Sequence, residues 1–270
     1  MEPLQENLKL AVSQHDIVWE DAPATLARID APVRRYCERY RPDVLLLPEA
    51  FSVGFTMNPA VAEPEDGPSA SWLRRVAADT GVALVASMPT SLGDGLRVNR
   101  CRFVAPDGRE WHYDKRHLFT TSGESPAYVP GTRRCTVDYR GWKIELNVCY
   151  DLRFPVWSRN VDCGYDLLVN IANWPDSRID AARILLHARA VENACYAAFC
   201  NRIGRDTLCR YDGHSMIVNY FGQDIARRRR VGGVRFYEAV LSMERLQHYR
   251  SRFPVSSDAD KFEIITEPQP

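Results

Sequence analysis

The sequence predicts an α/β fold: a four-layer α-β-β-α sandwich, with two β-sheets face to face and helices outside. Three observations carry this prediction. Short runs such as Val44, Leu45, Leu46 and Leu47 are apolar at every position, the pattern of strands buried on both faces. Stretches with helical spacing separate these runs. The chain also repeats itself. Residues 42–90 read strand, loop, helix, strand, residues 163–204 read the same way, and Asp43-Val-Leu-Leu-Leu is matched by Asp166-Leu-Leu-Val-Asn. Two such halves each cover one sheet face with helix and leave the other face to pack against its counterpart.

Residues 8–12 are short and apolar and read as the first strand. Residues 23–40 read as a helix because Leu26, Ile29, Val33 and Tyr36 share a face; Arg41-Pro42 ends it, since a residue before proline is pushed out of the helical region. Residues 44–47 form a buried strand, closed by Pro48, with Glu49 just past its end. Residues 69–80 read as a helix with Trp72, Leu73 and Val76 inward, stopped by Gly81, and 82–87 as another buried strand. Residues 97–105 and 110–113 make a hairpin about Pro106-Asp107-Gly108, and 114–124, without a period, is loop.

Residues 142–148 alternate, with Trp142, Ile144, Leu146 and Val148 on one side and Lys143, Glu145 and Asn147 on the other, which is the period of a strand. The alternation stops at Cys149, and Pro155 suits the first turn of a short helix over 156–161. A strand at 166–172 follows, then a helix at 179–194 with Ile184, Leu185, Ala188 and Val191 inward, and a strand at 196–200. Strands at 215–220 and 235–241 belong to a final antiparallel portion, and 243–250 is a last helix. No linker or low-complexity segment interrupts the pattern, so residues 1–270 read as a single domain.

Lysines and arginines number 35, as do aspartates and glutamates, so there is no basic excess for a nucleic-acid partner. The one dense basic cluster, residues 227–230, reads as a solvated turn beside Gly232-Gly233. The 8 cysteines form no C-x-x-C pair, which speaks against a structural zinc. The N-terminal stretch carries acids and no apolar leader, and no segment has membrane-spanning length. A cytoplasmic protein with reduced thiols and no membrane partner is expected.

Three chemically distinct groups occupy equivalent places. Glu49 and Cys149 each follow a strand, and Lys115 follows the hairpin strand that ends at Tyr113. Ends of strands are where open α/β sheets place reactive groups. A thiol is mostly protonated at neutral pH and needs a base; Glu49, in an apolar surround that would raise its pKa, could serve. Lys115 and a backbone N–H after Cys149 could hold the oxyanion of an acyl-transfer intermediate. Taken singly, a thiol after a strand is more often a small buried hydrophobe, a glutamate a surface residue and a lysine a solvated one. The combination is what points to acyl transfer.

The motifs Leu-Leu-Leu-Pro-Glu49, Tyr-Asp-Lys115-Arg-His-Leu-Phe and Asn-Val-Cys149-Tyr-Asp-Leu-Arg-Phe-Pro resemble those of the carbon–nitrogen hydrolase (nitrilase) superfamily, in the same order. Ala-Asn-Trp-Pro at 172–175, Ala-Arg-Ala-Val-Glu-Asn at 188–193 and Asn-Arg-Ile-Gly at 201–204 extend the likeness, which is nearest to the ω-amidase branch. The resemblance implies a nitrilase-like sandwich that works without metal or organic cofactor and pairs as a homodimer through the layer of cysteine-side helices. It implies Glu49 as general base, Lys115 as oxyanion stabiliser, Cys149 as nucleophile and Glu124 as a second glutamate orienting Lys115. The Tyr150 N–H would be the second oxyanion donor, and Phe119, Asn173 and Trp174 would belong to the substrate pocket. The implied activity is hydrolysis of the terminal amide of small 2-oxo acid monoamides, such as 2-oxoglutaramate or 2-oxosuccinamate, through a Cys149 thioester. A carbamoylase, an aliphatic amidase or a nitrilase would use the same trio, and a non-catalytic binding module would share only the fold. A substrate carboxylate would need a cationic clamp, for which Arg153, Arg178 and Arg202 are candidates, each alternatively bound to Asp151, Asp176 or Asp206; for Arg153 the structural pairing is expected. Phe51, Phe119 and Trp174 could wall the pocket or, as large aromatics more often do, lie in the core, and His117 is expected to be structural.

Overall fold

The computed structural model describes residues 4–265; residues 1–3, part of the stretch read above as lacking a leader, lie outside the described residues. The first half runs β1 (Asn7–Gln14), α1 (Ala22–Tyr40), β2 (Val44–Leu46), α2 (Pro68–Thr80), β3 (Ala83–Gly93), β4 (Leu96–Val104) and β5 (Glu110–Asp114). The second runs α3 (Glu124–Ala127), β6 (Thr136–Tyr139), β7 (Trp142–Val148), β8 (Leu167–Ala172), α4 (Ile179–Glu192) and β9 (Tyr196–Asn201). It continues through β10 (Ile203–Arg205), β11 (Arg210–Asp212), β12 (Met216–Val218), β13 (Arg227–Val231), β14 (Val234–Ser242) and α5 (Met243–Arg252).

Two large sheets result, one ordered β13-β14-β1-β2-β3-β4-β5 and the other β12-β9-β8-β7-β6, with β10-β11 as a separate pair. β1, β2 and β3 are parallel, as are β7, β8 and β9. Alternation along each buried strand assigns the layers. Val44 and Leu46 enter the core between the sheets, while Leu45 and Leu47 pack under α1 and α2. Leu167, Val169 and Ile171 face the same inter-sheet core, while Leu168 and Ala172 pack under α4. The four layers are those the sequence predicts. Local signals set the boundaries: the Asp21 side chain accepts from the Ala24 N–H to start α1, and Gly81, at φ 70°, ends α2.

Several expectations are corrected. No helix spans 156–161, which is turn and loop until a 3-10 segment opens at Val161, and Pro155 does not open one; the first helical turn is a 3-10 segment, Cys149–Arg153, beginning directly at the end of β7. A bonding partner for Val148 N–H, the Asp151 carboxylate at 2.9 Å, tightens the chain before proline can matter. The inner face of α4 is Ala182, Leu186 and Ala190, whereas Ile184 is 70% and Val191 46% exposed. Alanines on either side of Leu186 let the helix sit close on the sheet, and counting the bulkiest apolar side chains selects the wrong stripe. Residues 227–230 are not a turn but the edge strand β13, paired with β14, where a charged row discourages further pairing. The 215–220 and 235–241 strands are antiparallel but belong to different sheets: β12 pairs with β9, and β14 with β1. Finally, β3 outruns its predicted 82–87, pairing with β4 through Gly93↔Leu96.

Candidate active site

Four strand ends converge. Glu49 follows β2, Lys115 follows β5, Cys149 follows β7 and Asn173 follows β8, all on the C-terminal side of their strands. Lys115 Nζ donates to Glu49 Oε1 at 2.9 Å and to both Glu124 oxygens at 2.9 Å, with all three side chains fully buried. Glu49 does not sit in an apolar surround, as the sequence suggests. Asn99 Nδ2 donates to its Oε1 at 2.8 Å, the Asn173 N–H to its Oε2 at 2.9 Å, and Asn173 Nδ2 to its backbone carbonyl. Glu124 accepts from the Phe119 N–H at 2.5 Å, which fixes the loop after Lys115 around it.

Cys149 sits at φ 47°, a left-handed conformation uncommon for a residue with a Cβ, where β7 turns straight into the 3-10 segment. Glu49 and Lys115 are the charged groups that act on its thiol most strongly. Burial pushes the Cys149 thiol well above its ordinary pKa, the Glu49 charge adds to this, and the Lys115 ammonium opposes it. The resting sulfur is therefore a thiol that needs a proton acceptor beside it. Burial alone would discharge Lys115, but Glu124 and Glu49 outweigh it and hold the ammonium charged. Burial raises the Glu124 carboxyl from its ordinary value against the pull of Lys115. Such an arrangement can deprotonate a sulfur, hold a developing negative charge and exclude bulk water.

A cavity of about 360 Å³ opens onto this group, and Lys115, Phe119, Cys149, Tyr150, Asn173 and Trp174 all line it. The Tyr150 N–H lies in the first turn of the 3-10 segment, where helical geometry provides no internal acceptor. Phe51, by contrast, packs in the core against Trp72, with ring centroids 5.7 Å apart. Arg202 is not a clamp: it is fully buried, donating to Asp16 at 3.3 Å and to the carbonyls of Ile17, Ile203 and Arg205. Arg153 does not pair with Asp151. It and Arg178 reach the cavity, Arg153 over the Trp174 ring at 5.1 Å and Arg178 over Phe119 at 5.3 Å. His117 binds Asp151, Nδ1 to Oδ1 at 2.8 Å, and stacks on Phe154. Among the described residues, no cluster of His, Cys, Asp and Glu is arranged to hold a metal ion, and no helix is long and apolar enough to cross a membrane.

Sequence reasoning missed Asn99, although it left a signal: Asn99 shares a strand face with Cys101 and Phe103, which are core residues. The cavity residues Trp19, Phe55 and Met57 come from loops and left none.

Strand-end carboxylate, ammonium and thiol on this sandwich define a class, and the family model described as carbon–nitrogen hydrolase matches residues 9–247. The chain belongs to the carbon–nitrogen hydrolase family and is a hydrolase acting on carbon–nitrogen bonds. More particularly, it is similar to the omega-amidase YafV of Yersinia enterocolitica, at 43% identity over 96% of this chain and 99% of that one. It is also similar to the 2-oxoglutaramate amidase of Bacillus subtilis, at 33% identity over 81% of this chain and 85% of that one. A crystal structure of a CN-hydrolase superfamily protein from Xanthomonas campestris, with an arsenic adduct in its active site, superposes with a TM-score of 0.89 at 34% identity, covering 96% of this chain and 100% of that one. The fold and family expected from the motifs are both met.

Proposed function

We propose that the protein is a thiol amidase that hydrolyses the terminal amide of small 2-oxo acid monoamides such as 2-oxoglutaramate, giving the 2-oxo diacid and ammonia. The observation that carries this reading is the buried contact of Lys115 with Glu49 and Glu124 beside the Cys149 thiol. Glu49 takes the thiol proton as Sγ attacks the amide carbon. The tetrahedral oxyanion is held by the Lys115 ammonium and the Tyr150 N–H. Glu49 returns the proton to nitrogen, ammonia leaves, and a Cys149 thioester remains. Glu49 then deprotonates water, which attacks the thioester carbonyl; the acid departs and the sulfur regains its proton. Glu124 fixes Lys115 throughout.

The acid part of the substrate is supported by the cavity wall. Arg153 and Arg178 are exposed, lie on aromatic faces and, among the described residues, make no ion pair, so both guanidiniums are available to a carboxylate. The omega-amidase and 2-oxoglutaramate amidase relatives support the same substrate class. Free thiols at all eight cysteines suit a reducing cytoplasm. The outward Ile184 and Val191 of α4, with exposed Phe221 preceding Gly222, which lies against Val191, support a homodimer through this layer.

Ammonia release from 2-oxoglutaramate, 2-oxosuccinamate, a carbamoyl compound and a nitrile tests the proposal. Wild type should prefer the 2-oxo acid amides, Cys149→Ala should release nothing, and mass spectrometry of quenched wild type should find an acyl group on Cys149. Turnover by Cys149→Ala would defeat the mechanism, and preference for a nitrile or carbamoyl compound would defeat the substrate assignment.

A further inference from the structure

One fully buried carboxylate, Asp151, has no part in the chemistry above and yet touches both sides of it. It lies two residues after Cys149. Its Oδ2 accepts the Val148 N–H at 2.9 Å, closing the turn that carries the thiol. The same oxygen accepts the Tyr113 hydroxyl at 2.7 Å. Its Oδ1 accepts the His117 N–H at 2.9 Å and lies 2.8 Å from His117 Nδ1. Tyr113 and His117 flank Lys115 by two residues on either side.

We propose that Asp151 is a positioning residue that staples the Cys149 turn to the Lys115 segment, so that nucleophile and oxyanion-holding cation keep one separation. The two segments come from different sheets, β5 from the larger and β7 from the smaller, and no strand pairing joins them. The Asp151 carboxylate ties the two segments directly. Tyr113 extends the staple: its oxygen accepts the Arg116 N–H at 3.2 Å and the Trp157 Nε1 at 3.0 Å. Burial and the Asp151 charge push the Tyr113 phenol well above its usual pKa, which keeps it a donor. Asp151 thus gathers contacts from Val148, Tyr113 and His117 on its two oxygens. The His117 ring is held flat on Phe154, with centroids 3.7 Å apart, so the pair has one orientation. Misplacing reacting groups by an ångström costs on the order of a hundredfold in rate, which sets the size of the expected effect.

The staple rests on the thiol-hydrolase reading but not on which amide is cleaved. The test therefore uses two readouts, kcat and KM for 2-oxoglutaramate per titrated active site, and the rate constant of Cys149 alkylation by iodoacetamide followed by mass spectrometry. Tyr113→Phe removes one donor and keeps the ring. It should lower kcat about tenfold, leave KM within about twofold and slow alkylation. Asp151→Asn should lower kcat about a hundredfold, again with KM retained. His117→Phe should resemble Tyr113→Phe, and His117→Asn, which keeps a side-chain donor, should recover part of the loss. If Tyr113→Phe keeps wild-type kcat and alkylation rate per titrated site, the staple is wrong, whether or not Asp151→Asn folds. A loss confined to the fraction of titratable sites, with survivors fully active, would mean a merely structural role and would also overturn it. If wild type is inactive on 2-oxoglutaramate but alkylation slows as described, the staple stands and only the substrate assignment fails.

Discussion

Glu49 and Lys115, 66 residues apart in the chain, meet at 2.9 Å with neither side chain exposed. A buried ion pair of this kind adds little net stability, because desolvating both charges offsets most of their attraction. Its value is geometric: Glu124 holds the other side of the ammonium, so the cation has one place to be.

Replacing Glu49 by Gln removes the proton acceptor and keeps the side-chain shape. We expect kcat to fall by roughly 10² to 10⁴, the range for a positioned general base. Steady-state ammonia release checks this, and a variant with more than about a tenth of wild-type kcat would remove Glu49 from that role.

Arg178→Met and Arg153→Met keep the apolar stems over Phe119 and Trp174 and lose the charge. Hydrogen bonds to charged groups are worth about 1.5–3 kcal/mol. KM for 2-oxoglutaramate should therefore rise by about tenfold or more in at least one variant, while that for an uncharged amide of similar length stays within about twofold. Equal effects on both substrates would show that neither arginine reads a carboxylate.

His15 gives a stability signature. Burial lowers its pKa to about 4 against the pull of the Phe51 carbonyl, and the nearby Arg202 charge lowers it further. The folded His15 is neutral, whereas the unfolded one takes up a proton below about 6.5. Its contribution is thus fully present above pH 6.5 and is lost as the pH falls from there toward about 4. At about 1.4 kcal/mol per pKa unit the loss is about 3 kcal/mol. Denaturant midpoints across this window should fall for wild type, and His15→Gln should show a shallower slope. An unchanged slope would contradict the assignment.

Gly131 packs on the strand that delivers Lys115. Its N–H donates to the Lys115 carbonyl at 2.9 Å, and a Cβ built on it would lie 2.0 Å from the Asp114 carbonyl oxygen. Gly131→Ala must push that strand aside. We expect a stability loss of about 1–3 kcal/mol, typical of overpacking, together with a fall in kcat of about tenfold or more. Thermal melts and ammonia release measure the two, and normal kcat in a folded variant would show that Lys115 tolerates the shift.

How far the sequence carried the reading depends on the range of the signal. Val44 to Leu47 betray their strand by an unbroken apolar run and Trp142 to Val148 by alternation, both written into neighbouring residues. Glu49, Lys115 and Cys149 were legible for the same reason, each standing where a recognisable strand stops. Glu145 and Asn147 were less legible. Their polarity marks only the second face of β7, and its burial is not written in it: both are buried, held by Arg134 and Thr136 in one case and by Ser158 in the other. The wrong stripe on α4 has a similar origin, since hydrophobicity says which residues prefer burial but not which face a sheet leaves room for.

The sequence by itself determined the layers, most of the elements and the chemical types at the candidate site, because all of these follow from local periodicity and from residue identity at strand ends. Tertiary structure alone decided that Asn99 and Asn173 would bind Glu49, that Arg202 would be sequestered while Arg153 and Arg178 reached the cavity, and that Asp151 would join two sheets. Those are contacts between segments tens of residues apart. Their partners are selected by the packing of one sheet on another, and no spacing along the chain encodes that.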